Sequence, residues 1–183
     1  MKVKVFNLEN VTPEEVDRKV EKVRAIILND EGKVLVGNYA GVYLLPGGSI
    51  DRDEEEKQAL TREILEETGI ENVNLENTPF LKLQALDRNY FDRKEKRELN
   101  RQTNTTFYYG RTNSSIDLNK QQLTQSEKNS RFKISFENLS ILTYLIENNK
   151  TTNSKKYVYE REMLTVLKEF AEYRREKYIE SER

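Results

Sequence analysis

Gly48-Ser49-Ile50-Asp51-Arg52-Asp53-Glu54-Glu55-Glu56-Lys57-Gln58-Ala59-Leu60-Thr61-Arg62-Glu63-Ile64-Leu65-Glu66-Glu67-Thr68-Gly69-Ile70 is the stretch on which the reading of this chain turns. It follows a short apolar run, Val42-Tyr43-Leu44-Leu45, stopped by Pro46-Gly47-Gly48. Asp51 with Glu54 three residues on has the form of a helix N-cap and capping box. The helix is expected to run to about Thr68, with Gly69 as a left-handed C-cap. Eight acidic and three basic residues lie between Asp51 and Glu67. On a helical wheel Glu56, Ala59, Glu63, Glu66 and Glu67 share one wedge, while Leu60 and Ile64 lie beside it and can face a core. Glu63 meets Glu66 at i,i+3 and Glu67 at i,i+4, spacings at which like charges repel. Acidic helix faces are commonly just solvated. Here the acids converge beside a Pro-Gly-Gly turn whose carbonyls can point at the same place, and a divalent cation would turn the repulsion into coordination.

Composition narrows the chemistry from the other side. The 183 residues contain no cysteine and no histidine. That excludes thiolate nucleophiles, disulfides, zinc-thiolate sites and any histidine general base. Acid-base or metal chemistry must then rest on carboxylates, lysine or tyrosine, and carboxylates favour the hard cations magnesium, calcium or manganese. The formal net charge of -1 sets up no global field for nucleic acid or a membrane. No segment reaches the roughly 20 apolar residues of a membrane span, and Met1-Lys2-Val3-Lys4-Val5 opens no signal-peptide run, so a cytoplasmic location is expected. The length suits one domain over residues 1–183, with a core at about 20–147 and a further C-terminal helix at about 155–180.

The spacing itself is specific. Gly48, five residues, Glu54, seven residues, then Arg62-Glu63-Ile64-Leu65-Glu66-Glu67-Thr68-Gly69-Ile70 matches every fixed position of the Nudix box. On these residues the chain resembles the Nudix (MutT-like) hydrolases. The resemblance covers roughly residues 20 to 147, including Phe132 to Leu142, which is similar to the family's final strand and helix. It implies an α/β fold, the Nudix α/β/α sandwich with a central mixed sheet. It implies a magnesium-dependent hydrolase, with manganese as a substitute, that cleaves a diphosphate linkage in a nucleoside diphosphate joined to another group. Glu63, Glu66 and Glu67 would be the catalytic and metal-holding carboxylates, with the carbonyl of Gly47 or Gly48 as a further ligand. Glu54 and Arg62 would orient the box, Gly69 would end its helix, and Ile64 and Ile70 would fill core positions. Glu63 or Glu66 would be the base. Some members take it from a later loop, which makes Glu127 a candidate too.

Outward from the box, the sequence alternates in strand and turn signals. Val23 to Leu28 and Lys33 to Val36 read as strands joined by the turn Asp30-Glu31-Gly32, hence a hairpin. Val73 to Leu86 and Thr105 to Tyr109 hold further strands, and Asn113 to Ser130 reads as a long loop. Phe132 to Phe136 is a late strand, Leu139 to Ile146 a short helix, and Tyr157 to about Ile179 a terminal helix with Val158, Met163, Val166, Leu167 and Phe170 near one face. Its aromatics Tyr157, Tyr159, Phe170, Tyr173 and Tyr178 either cover the chain's own core or form a homodimer face.

Lys82 to Arg111 carries eight basic residues against four acidic ones, interleaved with Tyr90, Phe91, Phe107, Tyr108 and Tyr109. An acidic helix repels a diphosphate, so nearby cations would help to bind it, and Arg88, Arg93 and Arg101 are the candidates for substrate contact. The partner implied is a small-molecule nucleotide: a nucleotide sugar, an ADP-ribose-like compound or a nucleoside triphosphate. An RNA 5′ end gains no support from the charge balance. Two rivals share the fold. A catalytically silent nucleotide-binding or regulatory module would be expected to lose box carboxylates, which are all present. An isoprenyl diphosphate isomerase would be expected to need a cysteine, which is absent.

Overall fold

The chain was analysed as a computed structural model that describes residues 1–92, 95–148 and 156–181. Its elements in order are β1 (Lys2–Phe6), β2 (Arg18–Leu28), β3 (Val34–Tyr39), β4 (Val42–Leu44), β5 (Gly47–Ser49), α1 (Glu56–Thr68), β6 (Asn74–Leu75), β7 (Leu81–Asp92), β8 (Arg97–Arg111), α2 (Gln125–Asn129), β9 (Lys133–Glu137), α3 (Leu139–Glu147) and α4 (Lys156–Ser181). The main sheet runs β1-β7-β8-β2-β3-β4, with β5 added to β2, β6 to β8 and β9 to β3. The β1–β7 and β2–β8 pairs are parallel and the β2–β3 and β7–β8 pairs antiparallel, so the sheet is mixed.

The period of two along β2 builds both halves of the core. Val23, Ala25 and Ile27 pack on one face with Ala59, Leu60 and Ile64 of α1. Ile26 and Leu28 pack on the other with Leu142 and Ile146 of α3 and Met163, Val166 and Phe170 of α4. A near-continuous apolar run is what a strand covered on both faces requires. The architecture is therefore helices on both sides of a mixed sheet, as the box implied. The hairpin also forms, Leu28 lying opposite Val34 across a turn in which Gly32 has φ +73°.

Four sequence expectations need correction. The box helix begins at Glu56 and its N-cap is Glu55, not Asp51; the Glu55 N–H donates to Gln58 Oε1 at 3.0 Å. Asp53 is held at φ 64°, a left-handed conformation that no helix continues through. The Asp51–Glu54 exchange does exist, Asp51 N–H donating to Glu54 Oε2 at 3.1 Å, but it closes a turn ahead of the helix. The strand expected over Val73 to Leu86 is two strands, β6 and β7, the second reaching Asp92. β8 extends from Arg97 to Arg111, well beyond Thr105 to Tyr109. Hydrogen-bonding on both sides, to β2 and β7, overrides the weak strand preference of Arg101, Gln102 and Asn104. The Asn113 to Ser130 segment contains α2, capped by Thr124, rather than loop throughout.

The two ends of the chain support each other. Edge strand β1 pairs with β7, and from it Lys2 Nζ reaches Glu172 at 2.9 Å and Lys4 Nζ reaches Glu169 at 2.8 Å, both on α4. Phe170 is buried, with ring centroids 5.5 Å from Phe80 and 5.1 Å from Tyr109. Tyr173 lies 5.5 Å from Phe80 and donates to Glu76. Phe170 and Tyr173 thus belong to the chain's own core, Tyr159 lines a cleft, and Tyr178 stays exposed. The side chain of Tyr157 lies outside the described residues. Among the described residues no helix is long and apolar enough to cross a membrane.

Candidate active site

Helix α1 is fixed at both ends. Gly69 closes it at φ 70°, its N–H donating to Leu65 O at 2.8 Å, and a Cβ there would run into the Asp117 carbonyl. Arg62 holds the other end. Its Nε and Nη2 donate to the two Glu54 oxygens at 3.0 and 2.9 Å, a bidentate fork. Nη2 also reaches the Ser49 carbonyl at 3.2 Å, and Nη1 reaches Glu63 at 3.0 Å and Glu66 at 3.4 Å. One guanidinium therefore ties the turn before the helix to two of its carboxylates.

The cleft beside α1 has a volume of about 870 Å³. At one end are Gly47, Gly48, Glu63 and Glu67, with Glu127 also in the lining. β5 lies against β2, Gly47 opposite Arg24 and Ser49 opposite Lys22, which brings the Gly-Gly turn to the foot of α1. Gly47 adopts φ +128°, and a Cβ would collide with the Val23 backbone; a Cβ on Gly48 would fall within the Glu63 carboxyl group. Only glycine permits this close approach. Gly47 N–H donates to Glu67 Oε2 at 3.1 Å. Burial pushes the Glu67 carboxyl up to about 8, with Arg24 and the Gly47 N–H acting in the opposite direction. Burial also raises Glu63, opposed chiefly by Arg62.

Not all of the acidic wedge reaches this cleft. Glu56 accepts from Thr106 Oγ1 at 2.9 Å and Tyr108 OH at 2.7 Å, which docks the helix on the sheet. Glu66 rests on Arg62 and is about one-third exposed. Among the described residues no three carboxylates gather into a closed cation cluster. The donors at the foot of α1 are nevertheless suited to a hard cation. Glu63 and Glu67 lie against the Gly47-Gly48 turn in the same lining, and the chain has no cysteine or histidine to offer.

Arg88 and Arg101 both line the cleft, though each already has an acidic partner. Arg88 forks onto Glu15 at 2.9 and 2.8 Å, and Arg101 meets Asp87 at 2.8 Å while lying 3.4 Å over the Tyr90 ring. Arg93 lies outside the described residues. Glu127 caps α2 by accepting from Thr124 N–H at 2.6 Å and Oγ1 at 2.8 Å, and its charge raises Glu67. The sequence reading missed Lys22 and Arg24 of β2 and Tyr159 and Glu162 of α4, all in the cleft wall. The first two had a signal: they are the polar members of an alternating strand, on the face shared with Ile26 and Leu28. The α4 pair had none, because nothing local tells where a distant helix docks.

A family model described as NUDIX domain matches residues 18–157. The chain belongs to the Nudix hydrolase family. A CTP pyrophosphohydrolase of Escherichia coli (strain K12) is 39% identical over 59 residues, 29% of this chain; the match spans 44% of that relative's length. Among solved structures, the MutT protein from Methanosarcina mazei Go1 superposes with TM-score 0.53 at 19% identity, covering 91% of this chain and 99% of that one. The NUDIX domain of Shewanella oneidensis NrtR, solved with ADP ribose, gives 0.54 at 16% identity, covering 91% and 95%. At these identities the two structures speak for the fold.

Proposed function

We propose that this chain is a magnesium-dependent pyrophosphohydrolase that hydrolyses a diphosphate linkage of a nucleoside diphosphate derivative, water bonding to one phosphorus as the bridging oxygen leaves with the other phosphate. The observation that carries the reading is the placement of Glu63 and Glu67 with the Gly47-Gly48 turn at one end of a cleft large enough for a nucleotide. Glu63 and Glu67, with the Gly48 carbonyl and Glu66 once released from Arg62, would hold the cation; manganese would substitute. A bound divalent cation neutralises the diphosphate and lowers the pKa of an attacking water.

The chain's own groups supply the rest. Arg24 and Lys22 carry the positive charge nearest the Gly-Gly turn and would take the phosphate oxygens. Arg62 and Glu54 keep the carboxylates in register, and Gly69 ends their helix. Glu127, in the cleft lining but outside that set, is the carboxylate left to accept the water's proton. Arg88 and Arg101 would contact the substrate further along the cleft. The silent-module reading is weaker, because Glu63, Glu66 and Glu67 are all present.

The test is a panel of nucleoside triphosphates, nucleotide sugars and ADP-ribose, assayed with and without magnesium. The pyrophosphohydrolase relative makes CTP its first member. Glu67→Gln is expected to reduce turnover of the best substrate by about 10³-fold, and Glu127→Gln by about 10²-fold if it is the base, with the fold unchanged by circular dichroism. Parental activity in the Glu67→Gln variant would overturn the site.

A further inference from the structure

The cleft has a wall that the hydrolytic chemistry does not use. One face of the sheet forms its floor: Thr103 and Thr105 of β8, flanked by Ala85 and Asp87 of β7. Over this floor stand the first turns of α4, with Val158, Tyr159 and Glu162. The match to the family model stops at residue 157, so this wall is built by residues beyond it.

Glu162 is a half-buried carboxylate that lines this wall. Burial raises its carboxyl, opposed by the charges of Arg24 and Lys22, and Asp87 pushes it further upward. Those cations act at a distance; among the described residues no group donates a hydrogen bond to it. The floor holds an orphaned atom of its own. Thr103, 8% exposed, has an Oγ1 without a partner in the structure. A buried hydroxyl with unmet hydrogen-bonding capacity costs stability unless something else satisfies it. A buried hydroxyl without a partner and a carboxylate that accepts no hydrogen bond among the described residues line one cleft, and together they mark a place where a ligand supplies the partners.

The chemistry of that ligand follows from the wall. A carboxylate repels phosphate, so the phosphates belong with Lys22, Arg24 and the Gly-Gly turn. An aromatic ring, an aliphatic side chain and threonine methyls suit a flat heterocycle. The two coplanar oxygens of a carboxyl group match an exocyclic amine beside a ring nitrogen: both accept if it is ionised, and one donates if it is protonated. We propose that Glu162 is a specificity-determining residue, and that it selects a nucleobase bearing an exocyclic amine, held between α4 and the Thr103–Thr105 floor. This rests on the nucleotide reading of the site given above.

Binding of nucleoside monophosphates by calorimetry tests it without requiring turnover. The pairs are CMP against UMP, AMP against IMP and GMP against IMP, in the parent and in Glu162→Gln and Glu162→Ala, with melting curves to establish that each variant is folded. In the parent, the amino member of at least one pair is expected to bind about tenfold or more tightly, because a site built around a polar contact rejects the analogue that lacks it. In Glu162→Ala the ratio should fall to about twofold, and in Glu162→Gln, which keeps an accepting oxygen, it should lie between. Equal binding within every pair in the parent, or a ratio that survives in Glu162→Ala, overturns the assignment. So does a variant that loses discrimination between ribo- and deoxyribonucleotides instead, which would give Glu162 to the sugar. Hydrolysis of the triphosphates by the parent without base preference would defeat this inference alone. Absence of hydrolysis across the panel would defeat the enzymatic reading, while the binding ratios still judge Glu162.

Discussion

Helices α1 and α4 meet the same cleft from opposite faces of the sheet, and they are held in place by different means. α1 is wired locally: Arg62, Glu54, Glu63, Glu66 and the Ser49 carbonyl lie within 18 residues of one another and are joined by hydrogen bonds of 2.9–3.4 Å. α4 is held by distant parts of the chain, through Phe80, Tyr109 and the lysines of β1. The proposed hydrolytic part of the cleft is thus specified by a short motif, and the proposed selective wall is assembled from pieces far apart in sequence. A helix fixed by its own neighbours can keep its geometry while the rest of the molecule varies. A helix fixed by remote packing can be replaced or shifted, and the pocket changes with it.

The contrast can be broken most forcefully at the packed end. Phe170→Ala removes a fully buried ring from the aromatic cluster, with an expected loss of about 3–5 kcal/mol in denaturant unfolding. If α4 is the selective wall, base discrimination should be lost with it even where the protein stays folded. A smaller effect is expected at the wired end. Arg62→Lys keeps the charge but cannot fork onto both oxygens of Glu54, and about a 10²-fold fall in kcat is expected with KM little changed and α1 intact. A drop in melting temperature as large as that of Phe170→Ala would show that the local wiring supports the whole fold, contrary to the comparison.

The smallest effect concerns Arg88, at the rim. Its hydrogen bond, followed by the Thr12 N–H, lowers the Glu15 carboxyl from 4.5 to about 2. The depressed pKa gives stability that is present above about pH 4.5 and lost as the pH falls through about 2. Arg88→Ala should therefore show a melting temperature that declines less between pH 4.5 and 2 than the parent's, after a slightly lower start at neutral pH. Parallel curves would remove the pairing. A raised KM in the same variant at neutral pH would add a substrate role to the structural one.

What was legible follows the same division. Gly69 and the apolar run of β2 announced the end of the box helix and a strand from residues close in sequence, while the mixed sheet and the Arg62–Glu54 pair came through the family resemblance that the box spacing carries. The helix start was misplaced by four residues because Asp51 and Glu54 do exchange a capping-type contact, and only the backbone at Asp53 shows that it precedes the helix. Glu56 read as part of the acidic wedge, and the sheet claims it through Thr106 and Tyr108. Arg88 and Arg101 carried charge enough to suggest phosphate contact, and the fold supplied Glu15 and Asp87 as their partners.

The sequence by itself determined the chemical repertoire: carboxylates without histidine or cysteine, arranged at the spacing of a known box, with glycines where no side chain fits. The tertiary structure alone decided which of those carboxylates enter the cleft, which cations stand opposite them, and which distant helix lines the wall. Local spacing fixes which side chains share a face of one helix. It cannot fix which strand or helix comes to lie across from that face, because that is settled by burial of apolar surface between segments as distant as Phe80 and Phe170.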